Sequence, residues 1–545
     1  MKKNVLYAII LLSALFAGCK KFVTPEPTDR YSESTAFKSE ANATLYANSF
    51  YPILNYYGLF GGAYLGGNMY TDGLTDIMKT GGSTIGSNGA VANLYATNPS
   101  LITTDQNSLD IWTNGYYYIR LINEFLQGLN NSKLDNTVKT RLTAEARFFR
   151  GYLYFLLIRN HGSVILITEP TTASLPRSTK DKCWDLVAAD LDFAAQNLPD
   201  KRTAAEAGRL TSGAAYGMKS RAMLYAERWQ SSLDAAAKII SRIDGMYALN
   251  ADYSKAFRSY VSGNKESILE FNYNYPQLVH NYDAIASPGG DDAFFEYGGD
   301  VEPTQELIEL YEKAGGGTVD WSNWHSTSVT TTPPWGTLEP RFQATVLYNG
   351  AAWKGRMIQA YSGGKDGWVS YPPAGGTNKG ATVTGYYLKK YLDETHSDLV
   401  NTRSSQTMVE IRLAEVILNY AEAAYHLSKS TESAIAVNTI RSRAGLPSFN
   451  ATGAALLVQI KKERTIELAG EGHHYWDLRR WKDAETTLTG LKVHGIKVNM
   501  LGSSYSYDYI ICDDAQRQFL KKMYAFPILS SELVNNTNCT QIENW

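Results

Sequence analysis

Apolar residues return every three or four positions through several long stretches of this 545-residue chain, the spacing that gives an α-helix one buried face. In the stretch 178–198, Trp184, Val187 and Leu191 share such a face, a capping-box-like Ser-Thr-Lys-Asp stands at the start, and Pro199 follows the end. The same spacing predicts helices over 110–129, 137–160, 211–229, 232–243, 406–427, 432–443 and 453–469. The fold class is therefore predicted to be mostly α.

Two of these helix pairs look like copies of one unit. Tyr-Ala-Glu stands at 225–227 and again at 420–422, each time near the end of a helix and before a short polar turn and an alanine-bearing helix. Small side chains at facing positions let two helices approach closely, as in tetratricopeptide (TPR) repeats. We therefore expect a TPR-like scaffold of helical hairpins with four helix pairs, although a generic helical bundle would also show such pairs.

Helical periodicity fails between about 247 and 403, where the chain is rich in glycine, proline, asparagine, serine and aromatic residues. Three short runs favour β-strands, at 268–271, 345–348 and 357–361. A loop-rich insertion of this length is more often functional than idle. The predicted organisation is one domain over 31–545, made of a helical scaffold at 31–246 and 404–545 and a variable, loop-rich, partly β lobe at 247–403.

The N-terminus has the form of a lipoprotein export signal. Lys2 and Lys3 precede an apolar run at 5–16 that is too short to span a bilayer and is typical of a signal-peptide core. The run ends in Leu-Phe-Ala-Gly-Cys, so we expect a signal peptide over 1–18, a lipid on Cys19 and a lipidated tether over 19–30. Acyl chains would then hold the protein on a membrane. An ordinary secretory signal with an incidental cysteine is the alternative.

Composition and charge narrow the possible functions. Lys and Arg number 52 against 54 Asp and Glu, which gives no basic field for nucleic acid. With the sulfur of Cys19 taken up by lipid, Cys183, Cys512 and Cys539 remain, an odd number that does not suit a disulfide scaffold. Pairing of Cys512 with Cys539 stays open. The 37 Tyr and 11 Trp suit a protein with aromatic-bearing loops.

Five motifs follow one another along the chain. They are Ala-Glu-Ala-Arg-Phe-Phe-Arg-Gly-Tyr-Leu-Tyr-Phe at 144–155, running on to Asn-His-Gly at 160–162; Arg-Leu-Thr-Ser-Gly-Ala-Ala at 209–215; Ile-Arg-Leu-Ala-Glu at 411–415 with Tyr-Ala-Glu-Ala at 420–423; Glu-Arg-Thr-Ile-Glu-Leu at 463–468 with Gly-His-His-Tyr-Trp-Asp-Leu-Arg-Arg-Trp at 472–481; and Ala-Phe-Pro-Ile at 525–528. In this order, the motifs resemble the SusD/RagB family of outer-membrane nutrient-binding lipoproteins over nearly the whole chain. His474 departs from the family, which usually has Arg there.

The resemblance implies a SusD-like fold and a lipid-anchored protein of the outer membrane that faces the cell exterior. It also implies a function without catalysis or cofactor, in which the protein binds oligosaccharide or polysaccharide and delivers it to a SusC-like TonB-dependent transporter. Three other functions stay open. They are capture of peptide or glycoprotein by a RagB-type binder, hydrolysis by a surface glycoside hydrolase, and a purely structural role as a helical adaptor.

The charged residues of the fourth motif are expected to brace helices. Glu463, Glu467 and Asp477 stand close to several arginines in the sequence and would be held ionised, which is the wrong state for a general acid. His473 and His474 are adjacent and diverge on a helix, unlike the i, i+4 pair of a metal site. Neither a catalytic residue nor a metal site is predicted.

Candidate ligand-binding residues come from two stretches. A flat ring covers the C–H face of a sugar while Asp or Asn pairs with its hydroxyl groups. The resemblance implies that loops after the first helix, here 55–99, and loops of the lobe, here 315–373, hold the ligand. The candidates are Tyr70, Asp72, Asn88, Tyr95, Trp321, Trp324 and Trp335, with Trp353 and Trp368 in reserve. Each tryptophan could instead be packed under its own loop, and Asp72 could brace a turn.

Overall fold

The computed structural model describes residues 33–58, 69–81, 88–242, 245–291, 298–372 and 380–545. The expected signal peptide, the lipidated Cys19 and the tether over 19–30 lie outside the described residues, so they stay predictions. Across the described ranges, no helix is both long enough and apolar enough to cross a membrane.

Most of the regular structure is helical, which confirms the predicted fold class. In chain order the helices are α1 (Glu33–Ala36), α2 (Glu40–Asn48), α3 (Pro52–Tyr57), α4 (Met69–Asp72), α5 (Asn88–Thr97), α6 (Trp112–Asn131), α7 (Asn136–His161), α8 (Lys180–Asn197), α9 (Ser212–Tyr225), α10 (Trp229–Ile240), α11 (Tyr282–Ala286), α12 (Gln305–Leu310), α13 (Pro340–Thr345), α14 (Leu413–His426), α15 (Ser430–Arg443), α16 (Gly453–Glu467), α17 (His474–Trp481), α18 (Ala484–Leu488) and α19 (Ser530–Asn535).

The strands are short and pair antiparallel, two by two. They are β1 (Met78–Lys79) with β3 (Glu302–Pro303), β2 (Ser267–Phe271) with β8 (Met408–Arg412), β4 (Val346–Leu347) with β7 (Tyr387–Leu388), β5 (Ala352–Trp353) with β6 (Arg356–Met357), and β9 (His494–Leu501) with β10 (Ser504–Ile511). The predicted strand at 268–271 is confirmed, whereas of 357–361 only Met357 lies in a strand. The hairpin of β9 and β10 was not predicted.

Local capping explains both ends of α7. The side chain of Asp135 accepts a hydrogen bond from Thr137 N at 2.7 Å where α7 begins, and Gly162, with a φ of 76°, follows its last residue.

The prediction for 406–427 is wrong in its first residues, because Val409 and Ile411 lie in β8, paired with β2, and α14 begins only afterwards. β-branched residues favour the strand there.

The helices of the scaffold pack in series: α6 on α7, α7 on α8, α8 on α9, α9 on α10, α10 on α14, α14 on α15, and both of these on α16. The pairs α9–α10 and α14–α15 repeat one hydrogen bond. Ser232 Oγ donates to Ser220 O at 2.8 Å, and Ser433 Oγ donates to Ala421 O at 2.7 Å over the same sequence separation. The two helix pairs are therefore equivalent when Ser232 is aligned with Ser433. This alignment differs from the one suggested by the repeated Tyr-Ala-Glu at 225–227 and 420–422.

A buried network of ion pairs joins α16 to the elements around it. Glu467 accepts hydrogen bonds from Arg412 at 2.7 Å and from Arg443. One turn earlier, Glu463 accepts from Arg341 at 2.8 Å. Both carboxylates are fully buried, so each depends on the guanidinium groups for its compensation. The network has the bracing role that the sequence predicted, and it is more deeply buried than expected.

The three described cysteines are free buried thiols. Cys512 and Cys539 are therefore not joined by a disulfide. Within the described ranges, no group of three or more His, Cys, Asp or Glu side chains is placed to hold a metal ion.

Acidification is expected to weaken the fold through His473. Burial, with help from Arg221 and Arg464, lowers the pKa of His473 to about 4. An unfolded histidine titrates near pH 6.5, so the unfolded state gains protons first as the pH falls from about 6.5 towards 4. We expect this group to remove about 3 kcal/mol from the free energy of unfolding across that window. Urea unfolding at several pH values should show a shallower pH dependence for His473→Gln, and equal slopes would contradict the assignment.

Candidate functional site

A tyrosine-rich β-hairpin forms the centre of the candidate site. β9 and β10 pair along their whole length, and Gly502, with a φ of 60°, permits the two-residue turn between them. Alternate residues of a strand point to one face. Tyr505, Tyr507 and Tyr509 therefore share a face of the hairpin.

Two loops of the lobe flank this hairpin. Val329 and Tyr507 exchange backbone hydrogen bonds of 3.1 and 2.8 Å beside β10. Beside β9, Tyr361 forms a bridge with Val498. The hairpin is thus part of one structure with the lobe, although it belongs to the C-terminal part of the chain.

Rings from the loops pack against rings of the hairpin. Tyr509 is stacked on His494 with ring centroids 4.5 Å apart, and it lies 4.6 Å from the ring of His325. Tyr505 lies 5.7 Å from Tyr361. We call the rings that stay partly open to water the aromatic surface, which consists of Trp324, His325, Tyr361, His494, Tyr505 and Tyr509.

Two histidine–glutamate pairs brace the aromatic surface. His494 Nδ1 lies 2.7 Å from Glu306 Oε1, and His325 Nε2 lies 2.7 Å from Glu309 Oε1. Both glutamates belong to α12, so one short helix fixes the orientation of two rings. The surface therefore places hydrogen-bonding atoms beside partly exposed rings, which suits a ligand with both C–H faces and hydroxyl groups.

Two of the three predicted tryptophans are buried. Trp335 is 2% exposed, donates from Nε1 to Tyr386 Oη at 3.2 Å and packs 5.7 Å from the ring of Tyr507. Trp321 is 4% exposed and lies 5.7 Å from the ring of Trp324. The expectation of open rings at Trp321 and Trp335 is wrong, because both rings fill the interior of the lobe and support the rings that are open.

Trp324 keeps a partly open ring, as expected. Its Nε1 donates to Thr331 O at 2.9 Å, which ties the indole to its own loop. Of the reserve residues, Trp353 is buried with its Nε1 bound to Asp291, and Trp368 is half-buried. Contact between Trp324 and a ligand stays a prediction.

Asp72 braces a turn, the alternative that the sequence left open. Its carboxylate is fully buried and accepts backbone hydrogen bonds from Gly470 at 3.2 Å, Gly472 at 3.1 Å and His474 at 3.1 Å. Burial raises the pKa of Asp72 to about 7, against the opposing effect of His474 and these N–H groups. The side chain holds the turn before α17 and is not open to a ligand.

The other candidates of the first stretch are also internal or undescribed. Tyr70 is buried and donates to Asp300 at 3.1 Å, and buried Tyr95 accepts a hydrogen bond from Ser108 N at 3.0 Å. The expectation that Tyr70 and Tyr95 offer their rings to a ligand is therefore wrong. Asn88 begins α5, and its side chain lies outside the described residues.

Comparison with known proteins gives consistent matches. Residues 262–545 match the model of a family described as the SusD family, and residues 38–224 match one described as starch-binding associating with outer membrane. SusD-like protein P25 of Formosa agariphila is 23% identical over 88% of this chain and 90% of its own length. A SusD-like carbohydrate binding protein from Bacteroides fragilis has a TM-score of 0.77 and 26% identity, over 92% of this chain and 99% of that one. The surface glycan-binding protein A from Bacteroides thetaiotaomicron shares the fold, with a TM-score of 0.69 and 18% identity over 94% of this chain and 100% of that one.

Proposed function

This chain belongs to the SusD family, and from that membership we propose that it captures oligosaccharide or polysaccharide at the cell surface without cleaving it. The captured glycan passes to a SusC-like TonB-dependent transporter in the outer membrane. A lipid on Cys19 anchors the protein there, facing the cell exterior. The description of the second family as associating with the outer membrane supports this placement.

The aromatic surface is the observation that carries the proposal. Tyr505 and Tyr509 stand on one strand face four residues apart, which corresponds to about 13 Å. Rings at that separation reach across more than one sugar unit, so the surface suits an oligosaccharide better than a monosaccharide. Glu306 and Glu309, beside these rings, supply acceptors for hydroxyl groups.

The acidic residues at the aromatic surface favour binding over hydrolysis. A glycoside hydrolase needs two carboxyl groups opposed across the scissile bond. Glu306 and Glu309 instead lie on one short helix, and each holds a histidine at 2.7 Å. The name of the Bacteroides fragilis relative, a carbohydrate binding protein, supports the same reading.

Removing an open ring is expected to weaken glycan binding without unfolding the protein. Trp324→Ala and Tyr509→Ala should each reduce the affinity for the best ligand of a glycan panel by about tenfold or more, since aromatic anchors dominate such contacts. Isothermal titration calorimetry measures the affinity, and chromatography of the incubated glycans reports any cleavage.

Tyr117→Ala is the matched control, because Tyr117 is 50% exposed on α6 and lies outside the aromatic surface. Its affinity should equal that of the unmodified protein. If neither ring substitution changes binding, the aromatic surface is not the site. Release of shorter glycans would overturn the non-catalytic part of the proposal.

A further inference from the structure

The hydrogen-bonding groups of the aromatic surface are unevenly divided between acceptors and donors. Glu306 and Glu309 of α12 lie beside the rings, and a carboxylate only accepts hydrogen bonds. Neither glutamate pairs with a lysine or an arginine in the described part of the chain, since the partners of both are histidines. Two carboxylates therefore stand at the surface without a permanent cation as partner.

One oxygen of Glu309 is left for a ligand. Its Oε1 accepts from His325 Nε2 at 2.7 Å and from Gln305 Nε2 at 3.1 Å. Among the residues that the structure describes, no group donates to Oε2, and the side chain of Glu309 is 28% exposed. Oε2 is therefore an acceptor that a ligand hydroxyl group can reach.

The second nitrogens of the two histidines are acceptors as well. The carboxylate of Glu306 faces Nδ1 of His494, so this nitrogen carries the hydrogen, and in the neutral ring Nε2 keeps the lone pair. In His325 the order is reversed, because Glu309 faces Nε2 and the lone pair is left on Nδ1. Within the described ranges, neither of these lone pairs receives a hydrogen bond. Each glutamate thus fixes an acceptor on its histidine.

The ring N–H groups of the aromatic surface are all used by the protein itself. Trp324 Nε1 donates to Thr331 O at 2.9 Å, and each histidine donates to its glutamate. The Tyr509 hydroxyl lies close to both glutamates, since burial together with their charges raises the pKa of Tyr509 above its usual range. The tyrosine hydroxyl groups are therefore the donors that the surface keeps, and acceptors prevail.

The negative charge continues into the loop before Trp324. Asp320 is exposed, and hydrogen bonds from Ser322, with a smaller effect of His325, lower the pKa of Asp320. It is thus ionised at neutral pH and lies near the ring of His325. Like charges repel across a contact, so a ligand with carboxylate or sulfate groups meets an unfavourable field at this surface.

We propose that the aromatic surface selects uncharged glycans, whose hydroxyl groups donate to Glu309, His325 and His494, and rejects acidic glycans. The inference rests on the proposed capture of glycan at this surface and adds the class of substrate. The C–H faces of the sugar units lie on the partly exposed rings. A uronic acid unit has a carboxylate in place of a donating primary hydroxyl group. It therefore loses a donor that the acceptors need and adds a charge that they repel.

Uronic acid oligosaccharides and their carboxyl-reduced forms test the proposal, because the two members of a pair share their linkages and differ in charge. The pairs are mannuronan with mannan, glucuronan with cellulose, and galacturonan with galactan oligosaccharides. In calorimetry of the full-length protein at low salt, the neutral member of each pair that binds should have about tenfold or more higher affinity. Glu309→Gln should lower this ratio by about threefold, since it removes a negative charge and adds a donor.

Glu432→Gln is the matched control, because Glu432 is exposed on α15 and lies outside the aromatic surface. Its ratio should equal that of the unmodified protein. Equal affinities within a pair, tighter binding of an acidic member, or an unchanged ratio in Glu309→Gln overturns the substrate class and leaves the proposed capture standing. Full affinity in both Trp324→Ala and Tyr509→Ala overturns it too, because the selection then lies elsewhere. If no glycan of either kind binds, the inference and the proposed function both fall.

Discussion

Replacing Glu467 by glutamine is expected to lower the free energy of unfolding by about 3–5 kcal/mol, the cost of breaking a buried ion pair from one side. Glu467 is fully buried and receives Arg412 and Arg443 on one oxygen, and its other oxygen lies 3.4 Å from Arg341 Nη1. Although burial raises it, the guanidinium groups of Arg443, Arg412 and Arg341 hold the pKa of Glu467 well below its usual range. The neutral amide would leave buried positive charge uncompensated.

Urea or guanidinium unfolding followed by circular dichroism measures the effect of Glu467→Gln. Glu432→Gln is its control, because Glu432 is exposed in the first turn of α15 and such surface changes stay within about 0.5 kcal/mol. A loss below about 1 kcal/mol in Glu467→Gln would mean that the arginines find other partners.

Trp335→Ala is expected to cost about 3–5 kcal/mol, as large core truncations do, and to abolish binding at the aromatic surface. The indole packs 5.2 Å from the ring of Tyr348 and 5.7 Å from that of Tyr507. Its removal leaves a cavity beside the hairpin. The rings of the aromatic surface would then lose their support, although none of them is substituted.

Differential scanning calorimetry and glycan titration separate this indirect effect from a contact. Trp335→Phe refills part of the volume and should recover part of both stability and affinity. Trp324→Ala should instead lose affinity while keeping its melting temperature. Trp335→Ala with normal stability and no binding would indicate that the indole touches the ligand.

Helical periodicity predicted the scaffold well because each helix buries one face. The 3.6-residue turn of the helix then sets the spacing of the apolar residues in the sequence. Trp184, Val187 and Leu191 are buried in α8 as their spacing required. Where a strand packs against the same core, apolar spacing over a few residues does not distinguish it from a helix. This is why the prediction extended a helix over Met408–Arg412.

The hairpin carried a signal that the prediction missed. Ser-Tyr-Ser-Tyr-Asp-Tyr at 504–509 alternates at the period of a strand, and the glycine-containing turn stands before it. Its partners, however, are loops of the lobe, and no local rule connects them to it. The sequence therefore points to the loops alone as the site.

The direction of a single ring in a loop could not be predicted. Trp321, Trp324 and Trp335 all have polar, glycine or proline neighbours, yet only Trp324 of these stays partly open. A long side chain can reach inward from an exposed backbone, so neighbouring residue types do not decide its burial. The role of Asp72 could not be predicted either, because Gly472, whose N–H donates a hydrogen bond to the Asp72 carboxylate, lies 400 positions away.

The aromatic surface is built from distant parts of the chain. For example, Ser328 N donates a hydrogen bond of 2.6 Å to Asp508 Oδ1, 180 positions later. A polypeptide that leaves the ribosome from its N-terminus completes its scaffold helices α6 to α16 before β9 and β10 emerge. A chain that ended before the hairpin would lack three of the six rings of the aromatic surface, and it would also lack Arg517 and Phe526, which are fully buried in the core. Binding at the aromatic surface would therefore report complete molecules only.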